Sequence, residues 1–185
     1  MPPFHLSLQS GCDATLRRMN RHYTAAQFRE AAALLREAFP HPALTTDVIV
    51  GFPGETEEEF EESLAFCREM DFFEMHIFPY SKRKGTVAEK LPGSVRTAVK
   101  GERSRRLRVL RDECEDRFLR YYIGRTVEVL PEEEKTVSGI QYLTGHTPEY
   151  CLAAVDGASA AFAPGEIVSG RVIGVEQQHL LVKVE

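Results

Sequence analysis

Thr46-Asp47-Val48-Ile49-Val50-Gly51-Phe52-Pro53-Gly54-Glu55-Thr56-Glu57-Glu58-Glu59-Phe60 is the stretch whose reading decides the fold. Asp47–Val50 closes on a β-branched run suited to a strand buried on both faces of a parallel sheet. Gly51-Phe52-Pro53-Gly54 is a turn, since glycine supplies the positive φ and proline cannot extend the ladder. Thr56-x-x-Glu59 is a capping box, and the helix it opens places Phe60, Leu64, Cys67 and Met70 on one face. Strand, glycine turn and capped helix make one β-α unit.

The same grammar extends in both directions. Upstream, Phe4–Leu8 alternates like a strand and ends in Gln9-Ser10-Gly11, and Asp13 is placed to cap a short helix carrying Leu16 and Met19. Thr24-x-x-Gln27 opens a helix with Phe28, Ala31, Ala32, Leu35 and Phe39 at helical spacing, stopped by Pro40 and Pro42. Downstream, Phe72–Phe78 reads as a third strand. The β-α-β-α-β order predicts parallel strands with helical crossovers. A loop over 79–95 then precedes an amphipathic helix from about Thr97 to Tyr121, with an apolar seam of Leu107, Leu110, Cys114, Phe118 and Tyr121.

Beyond Gly124 the texture changes to short strands, Thr126–Leu130, Ile140–Leu143, Tyr150–Val155, Ile167–Val175 and Leu180–Val184. Five of them in so short a span predict a small antiparallel β-barrel. The expected domains are 1–121 and 122–185. No internal repeat is present.

Composition narrows the function classes. Of 185 residues, 43% are apolar and 28% charged, a globular profile rather than a disordered one. No apolar run has the roughly 18 residues of a helical membrane span. No secretory signal opens the chain, so the expected compartment is the cytoplasm. The net charge of −5 argues against attraction of nucleic acid by the chain as a whole, but 82–120 carries 13 basic and 6 acidic residues. That stretch can contact phosphates locally or serve as a solvated helix face. Residues 122–185 hold 4 basic and 9 acidic groups, so RNA binding there needs stacking or shape rather than bulk charge.

Cys12, Cys67, Cys114 and Cys151 are separated by 55, 47 and 37 residues, which excludes a CxxC or CxxxCxxC metal loop and reads as buried thiols. The six histidines show no ligand spacing, so no metal site is expected. The six glutamates of 55–62 read as charge favouring a helix N-terminus, plus solvation.

In parallel α/β folds, ligands bind where strands end. Here those ends carry Gln9-Ser10-Gly11, Gly51–Glu55 and Pro79-Tyr80-Ser81-Lys82-Arg83. Glycines admit a ligand to the backbone, Gln9 and Ser10 offer neutral hydrogen bonds, and Arg83 offers a forked cation. A plain tight turn explains Gly51 and Gly54 equally well.

Four ordered blocks name a family. Phe4–Asp13, Met19–Thr24, Thr46–Thr56 and Phe78-Pro79-Tyr80-Ser81-x-Arg83-x-Gly85-Thr86 resemble the radical S-adenosylmethionine methylthiotransferases, and the terminal barrel resembles their TRAM domain, an OB-like module. The resemblance covers essentially the whole chain. It implies an α/β fold, the C-terminal half of a partial (β/α)6 barrel. It assigns Gln9 and Ser10 to the ribose and methionyl part of S-adenosylmethionine. Ile49 would lie against the adenine, Gly51 would permit close approach, and the backbone of Phe78, Pro79 and Tyr80 would lie beside it. Arg21, Arg83 and Arg125 become contacts to cofactor or substrate.

The resemblance also implies [4Fe–4S] clusters, but neither the family's CxxxCxxC loop nor its three further cluster cysteines are here. The chain therefore reads as a C-terminal piece whose cluster-binding N-terminal part is missing, and which is inactive alone. No catalytic residue is assigned. Ser7, where isopentenyladenosine-type enzymes carry proline, makes the chain most similar to enzymes that methylthiolate N6-threonylcarbamoyladenosine at tRNA position 37. The isopentenyladenosine type, the ribosomal-protein branch and a stand-alone RNA-binding module are the rival readings. tRNA is the expected partner, with no membrane.

Overall fold

The computed structural model describes residues 3–156 and 165–184. The chain forms two compact units, Phe4–Cys114 and the part from Glu115 onward.

The first unit is a parallel sheet of β1 (Phe4–His5), β2 (Leu44–Val50) and β3 (Glu74–Pro79), in that order. Helices α1 (Asp13–Arg18) and α2 (Ala25–Ala38) join β1 to β2, and α3 (Glu57–Met70) joins β2 to β3. Both expected capping boxes form, with Thr24 Oγ1 accepting from Gln27 N and Thr56 Oγ1 from Glu59 N. α1 has no side-chain cap; Asp13 instead accepts at 2.8 Å from Ala25 N and so satisfies the start of α2. β1 stops at His5 because the Thr46 hydroxyl enters the ladder, donating to Leu6 O and accepting from Leu8 N. Pairing resumes at Gln9, bridged to Val48.

β2 departs from the expectation of burial on both faces. Thr46, Val48 and Val50 are buried, while Asp47 and Ile49 on the opposite face are half-buried. The buried face joins Phe28, Phe60, Phe66, Cys67, Met70, Phe72 and Met75 in one core, closed by Leu107, Leu110 and Cys114 of α4 (Thr97–Arg120). The other face lines a cavity.

The second unit holds the end of α4 and a closed barrel of β4 (Thr126–Val137), β5 (Ile140–His146), β6 (Leu152–Asp156), β7 (Val168–Glu176) and β8 (His179–Val184), in the order β4-β5-β6-β8-β7. The barrel is mixed rather than purely antiparallel, since β6 and β8 run parallel. Parity requires this: directions cannot alternate around a closed ring of five strands. Val127, Val129, Leu143, Val155, Val172 and Val182 are buried in this unit. Gly145 is needed where β5 crosses β4, because a Cβ there would collide with the Leu130 carbonyl. At the end of α4, Phe118, Leu119 and Tyr122 are buried, while Tyr121, expected in the seam, is 38% exposed.

Candidate functional site

The three strand ends of the first unit enclose one cavity of about 580 Å³. Ile49, Phe52, Phe78 and Pro79 give it apolar walls, Gln9 and Ser81 neutral polar groups, Arg21 and Arg83 positive charge, and Asp47 a carboxylate. Gln9 reaches the wall because its backbone is left-handed (φ 66°), held by Gln9 N donating to Asp47 O and Ile49 N to Gln9 O. The Phe52 and Tyr80 rings meet edge to face at 5.2 Å. Tyr80 N continues the ladder to Val50 O, so the chain leaves β3 still anchored to β2.

Of the residues expected to meet a cofactor, Gln9, Ile49, Phe78, Pro79 and Tyr80 line this cavity, as do Arg21 and Arg83. Ser10 does not. It is fully buried, its hydroxyl accepts from Cys12 N, and it belongs to the packing of the β1–α1 loop. Gly51 is also off the wall. The space that its missing Cβ leaves open holds the Lys100 side chain of α4 rather than facing the cavity. Arg125 lies in the second unit, its guanidinium 4.0 Å above the Tyr121 ring and its Nε donating to Tyr121 O.

Sequence reading missed the frame that holds these loops. Glu55 and Arg103, with side chains 1% and 4% exposed, form an ion pair at 2.7 Å. Glu55 also accepts from Gly51 N at 2.5 Å, fixing the turn after β2. Burial pushes the Glu55 carboxyl up, against the opposing pull of Gly51 N–H and the Arg103 charge. Lys100 Nζ donates to Tyr80 O at 2.8 Å and fixes the segment after β3. Glu57 pairs with Arg103 and Arg106, Glu61 with Arg106, and Glu59 with Arg18 of α1. The glutamate run is thus a set of directed contacts, beyond helix polarity and solvation. The clue in the sequence was the arginine spacing 103, 106 on α4, which faces the 55, 57, 61 spacing only after folding.

His5, Asp47 and His76 also converge, one from each strand, with ligand atoms within 4.8 Å of one another. Their separation in sequence gave no sign of it. Such a donor set suits a divalent cation, yet both ring nitrogens of His5 already have hydroxyl partners, Nδ1 with Thr45 Oγ1 at 3.0 Å and Nε2 with Ser7 Oγ at 3.1 Å.

All four cysteines are buried thiols outside any disulfide, and burial pushes Cys67 and Cys151 up to about 12. Among the described residues no three cysteines approach ligand distance.

Comparison with known proteins gives the site its context. The Radical SAM superfamily matches residues 2–67. The chain is 39% identical over 170 residues to the threonylcarbamoyladenosine tRNA methylthiotransferase MtaB of Bacillus subtilis, covering 91% of this chain and 37% of that protein. It is 37% identical over 185 residues to the tRNA-2-methylthio-N(6)-dimethylallyladenosine synthase of Streptomyces coelicolor, covering 99% and 37%. The synthase of that name from Anoxybacillus flavithermus is 41% identical over 168 residues, covering 91% and 31%. The chain thus spans under two fifths of the length of these relatives.

The superfamily uses S-adenosylmethionine with an iron–sulfur cluster. The residues lining the cavity suit the adenosyl part, with Ile49, Phe52 and Phe78 as apolar groups, Gln9 and Ser81 as polar ones, and the volume of a small-ligand site. A cluster does not fit, since its thiolate ligands would have to come from dispersed, buried cysteines of raised pKa. Residues 2–67 thus match the Radical SAM superfamily, and the chain as a whole is similar to tRNA methylthiotransferases of both kinds.

Proposed function

We propose that the chain is the adenosyl-binding part of a tRNA methylthiotransferase that modifies C2 of an N6-substituted adenosine at tRNA position 37. The observation that carries this reading is the single cavity shared by the ends of β1, β2 and β3. S-adenosylmethionine supplies one-electron chemistry when it sits on an iron–sulfur cluster, and that cluster needs ligands from outside these residues.

The residues present do the rest. Ile49, Phe52 and Phe78 bury the flat adenine and exclude water from it. Gln9 and Ser81 direct hydrogen bonds at ribose and methionyl groups, while Arg21 and Arg83 attract carboxylate or phosphate. Glu55, Lys100 and Arg103 keep the loops in place, so little ordering is left for the binding event.

The finer reading is the N6-threonylcarbamoyl substrate. Ser7 favours it: its hydroxyl sits between His5 and Asp47 at 3.1 and 3.5 Å, a bridge that proline at this position would lack. Similarity to both kinds of relative means that substrate choice has to be measured.

The test is mass spectrometry of nucleosides from tRNA of cells lacking the gene. Loss of 2-methylthio-N6-threonylcarbamoyladenosine is expected. Loss of the isopentenyl derivative instead reassigns the substrate, and loss of neither overturns the proposal.

A further inference from the structure

A second cavity, about 390 Å³, adjoins the first and shares Pro79, Tyr80 and Ser81 with it. It lies between the segment after β3 and the start of α4. Its α4 wall is Thr97, Lys100, Gly101, Ser104 and Arg108; Thr97, Gly101, Ser104 and Arg108 follow one another at steps of three or four, with Lys100 one turn before Ser104, so all lie on one helix face. With Lys82 opposite, three cations surround it, and no carboxylate lines it.

Three features mark it as a place for an anion. Ser104 is 2% exposed, yet its Oγ is buried without a hydrogen-bond partner. A hydroxyl so placed loses its water and gains nothing in return unless a ligand supplies an acceptor. Gly101 sits inside a helix, where alanine is favoured, although a Cβ there would meet nothing within 4 Å. Packing therefore does not demand glycine, and the missing side chain leaves this part of the cavity lining open. Charge pairing also divides α4. Arg103, Arg105, Arg106 and Arg111 each have a carboxylate partner. Among the described residues neither Lys82 nor Arg108 has a carboxylate partner. Lys100 spends one N–H on Tyr80 O and keeps two.

We infer that this cavity anchors a backbone phosphodiester of the substrate RNA, beside the first cavity that takes the adenosyl group. Ser104 and Lys100 take the phosphate oxygens at depth, and Lys82 and Arg108 close over them from the rim. The inference rests on the tRNA reading above and adds a defined contact to it.

The experiment is equilibrium binding of an anticodon stem-loop RNA to the 185-residue chain across a salt series. Lys82→Gln/Arg108→Gln is compared with Arg105→Gln/Arg111→Gln, which removes the same charge from paired positions. The first pair is expected to weaken binding about tenfold and to flatten the salt dependence by roughly 0.7 for each phosphate that is no longer neutralised. The control pair should change affinity less than twofold. Ser104→Ala should weaken binding several-fold while melting at or above the parent temperature, because a purely structural serine would lower it. Inorganic phosphate should compete at millimolar concentration in the parent but not in Lys82→Gln/Arg108→Gln.

Equal losses in both pairs, or no RNA binding by the parent at low salt, overturn the anchor. Loss of competition by phosphate with RNA binding unchanged places a free anion there and overturns it too. Intact tRNA methylthiolation in cells lacking the gene instead sinks the functional reading, so the two failures are distinguishable.

Discussion

Arg103 is the residue on which the site's frame turns. Its guanidinium is buried against Glu55 and Glu57 and lies 5.2 Å from the Phe60 ring centre. Removing one partner of such a pair leaves an uncompensated buried charge, a loss of about 3–5 kcal/mol. Arg103→Ala is therefore expected to lower the chain's unfolding free energy by about that amount near pH 7. The sign of its pH dependence follows from Glu55. Burial already raises that carboxyl, and without Arg103 it rises further. Its penalty is then greatest where it is ionised and is relieved as the pH falls and the carboxyl takes a proton. Urea denaturation of Arg103→Ala and the parent at pH 7 and pH 5 checks this: the gap between them narrows at the lower pH. A gap constant with pH would mean that packing, not charge, sets the loss. None of this was visible in the sequence, where Glu55 and Arg103 are 48 residues apart and each sits among residues of its own sign.

At the scale of elements, α3 shows how much of a helix is local and how much is not. Its start was legible, because Thr56-x-x-Glu59 closes a capping box from neighbouring residues alone. The second use of Glu59 was not. Its carboxylate takes Arg18 of α1 bidentately, one arm at 2.9 Å, and the Arg18 charge holds it below the usual carboxylate range. A depressed carboxyl contributes stability that is fully present above its unfolded value of about 4.5 and is lost as the pH falls through its folded value. Glu57 is lowered in the same sense, chiefly by Arg103. The chain's melting temperature is thus expected to fall on acidification below about pH 4.5. Glu59→Gln, which keeps the cap acceptor but loses the charge, should melt lower at pH 7 and lose less on acidification. Parallel curves for the two proteins would rule the pair out as a source of acid sensitivity. β2 teaches a similar lesson. Its β-branched run predicted a strand correctly, but Ile49 faces a cavity and not a helix layer, and nothing within β2 distinguishes those environments.

At the scale of the whole molecule, the two units differ in how they finish their sheets. The barrel closes on itself, whereas β1 and β3 keep unpaired outer edges among the described residues. Phe78 beside one of those edges is 51% exposed. Open edges next to apolar side chains favour pairing with another chain. The 185-residue chain is therefore expected to self-associate, eluting above monomer size in gel filtration, while a fragment from Glu115 onward stays monomeric and unfolds cooperatively. A sharply melting monomer of the complete 185 residues would contradict this. What the sequence determined by itself was the local grammar: both capping boxes, the β-α order, the strands of the barrel and the motifs that carry the kinship. Each is written in residues a few positions apart, within reach of one turn of chain. Only the tertiary structure decided which strand-end residues share a hollow, that Ser10 and Gly51 serve packing, and that α4 brings Lys100, Arg103 and an unpartnered Ser104 to the same loops. Those outcomes depend on contacts between residues tens of positions apart, and their energies exist only once the chain has closed around them.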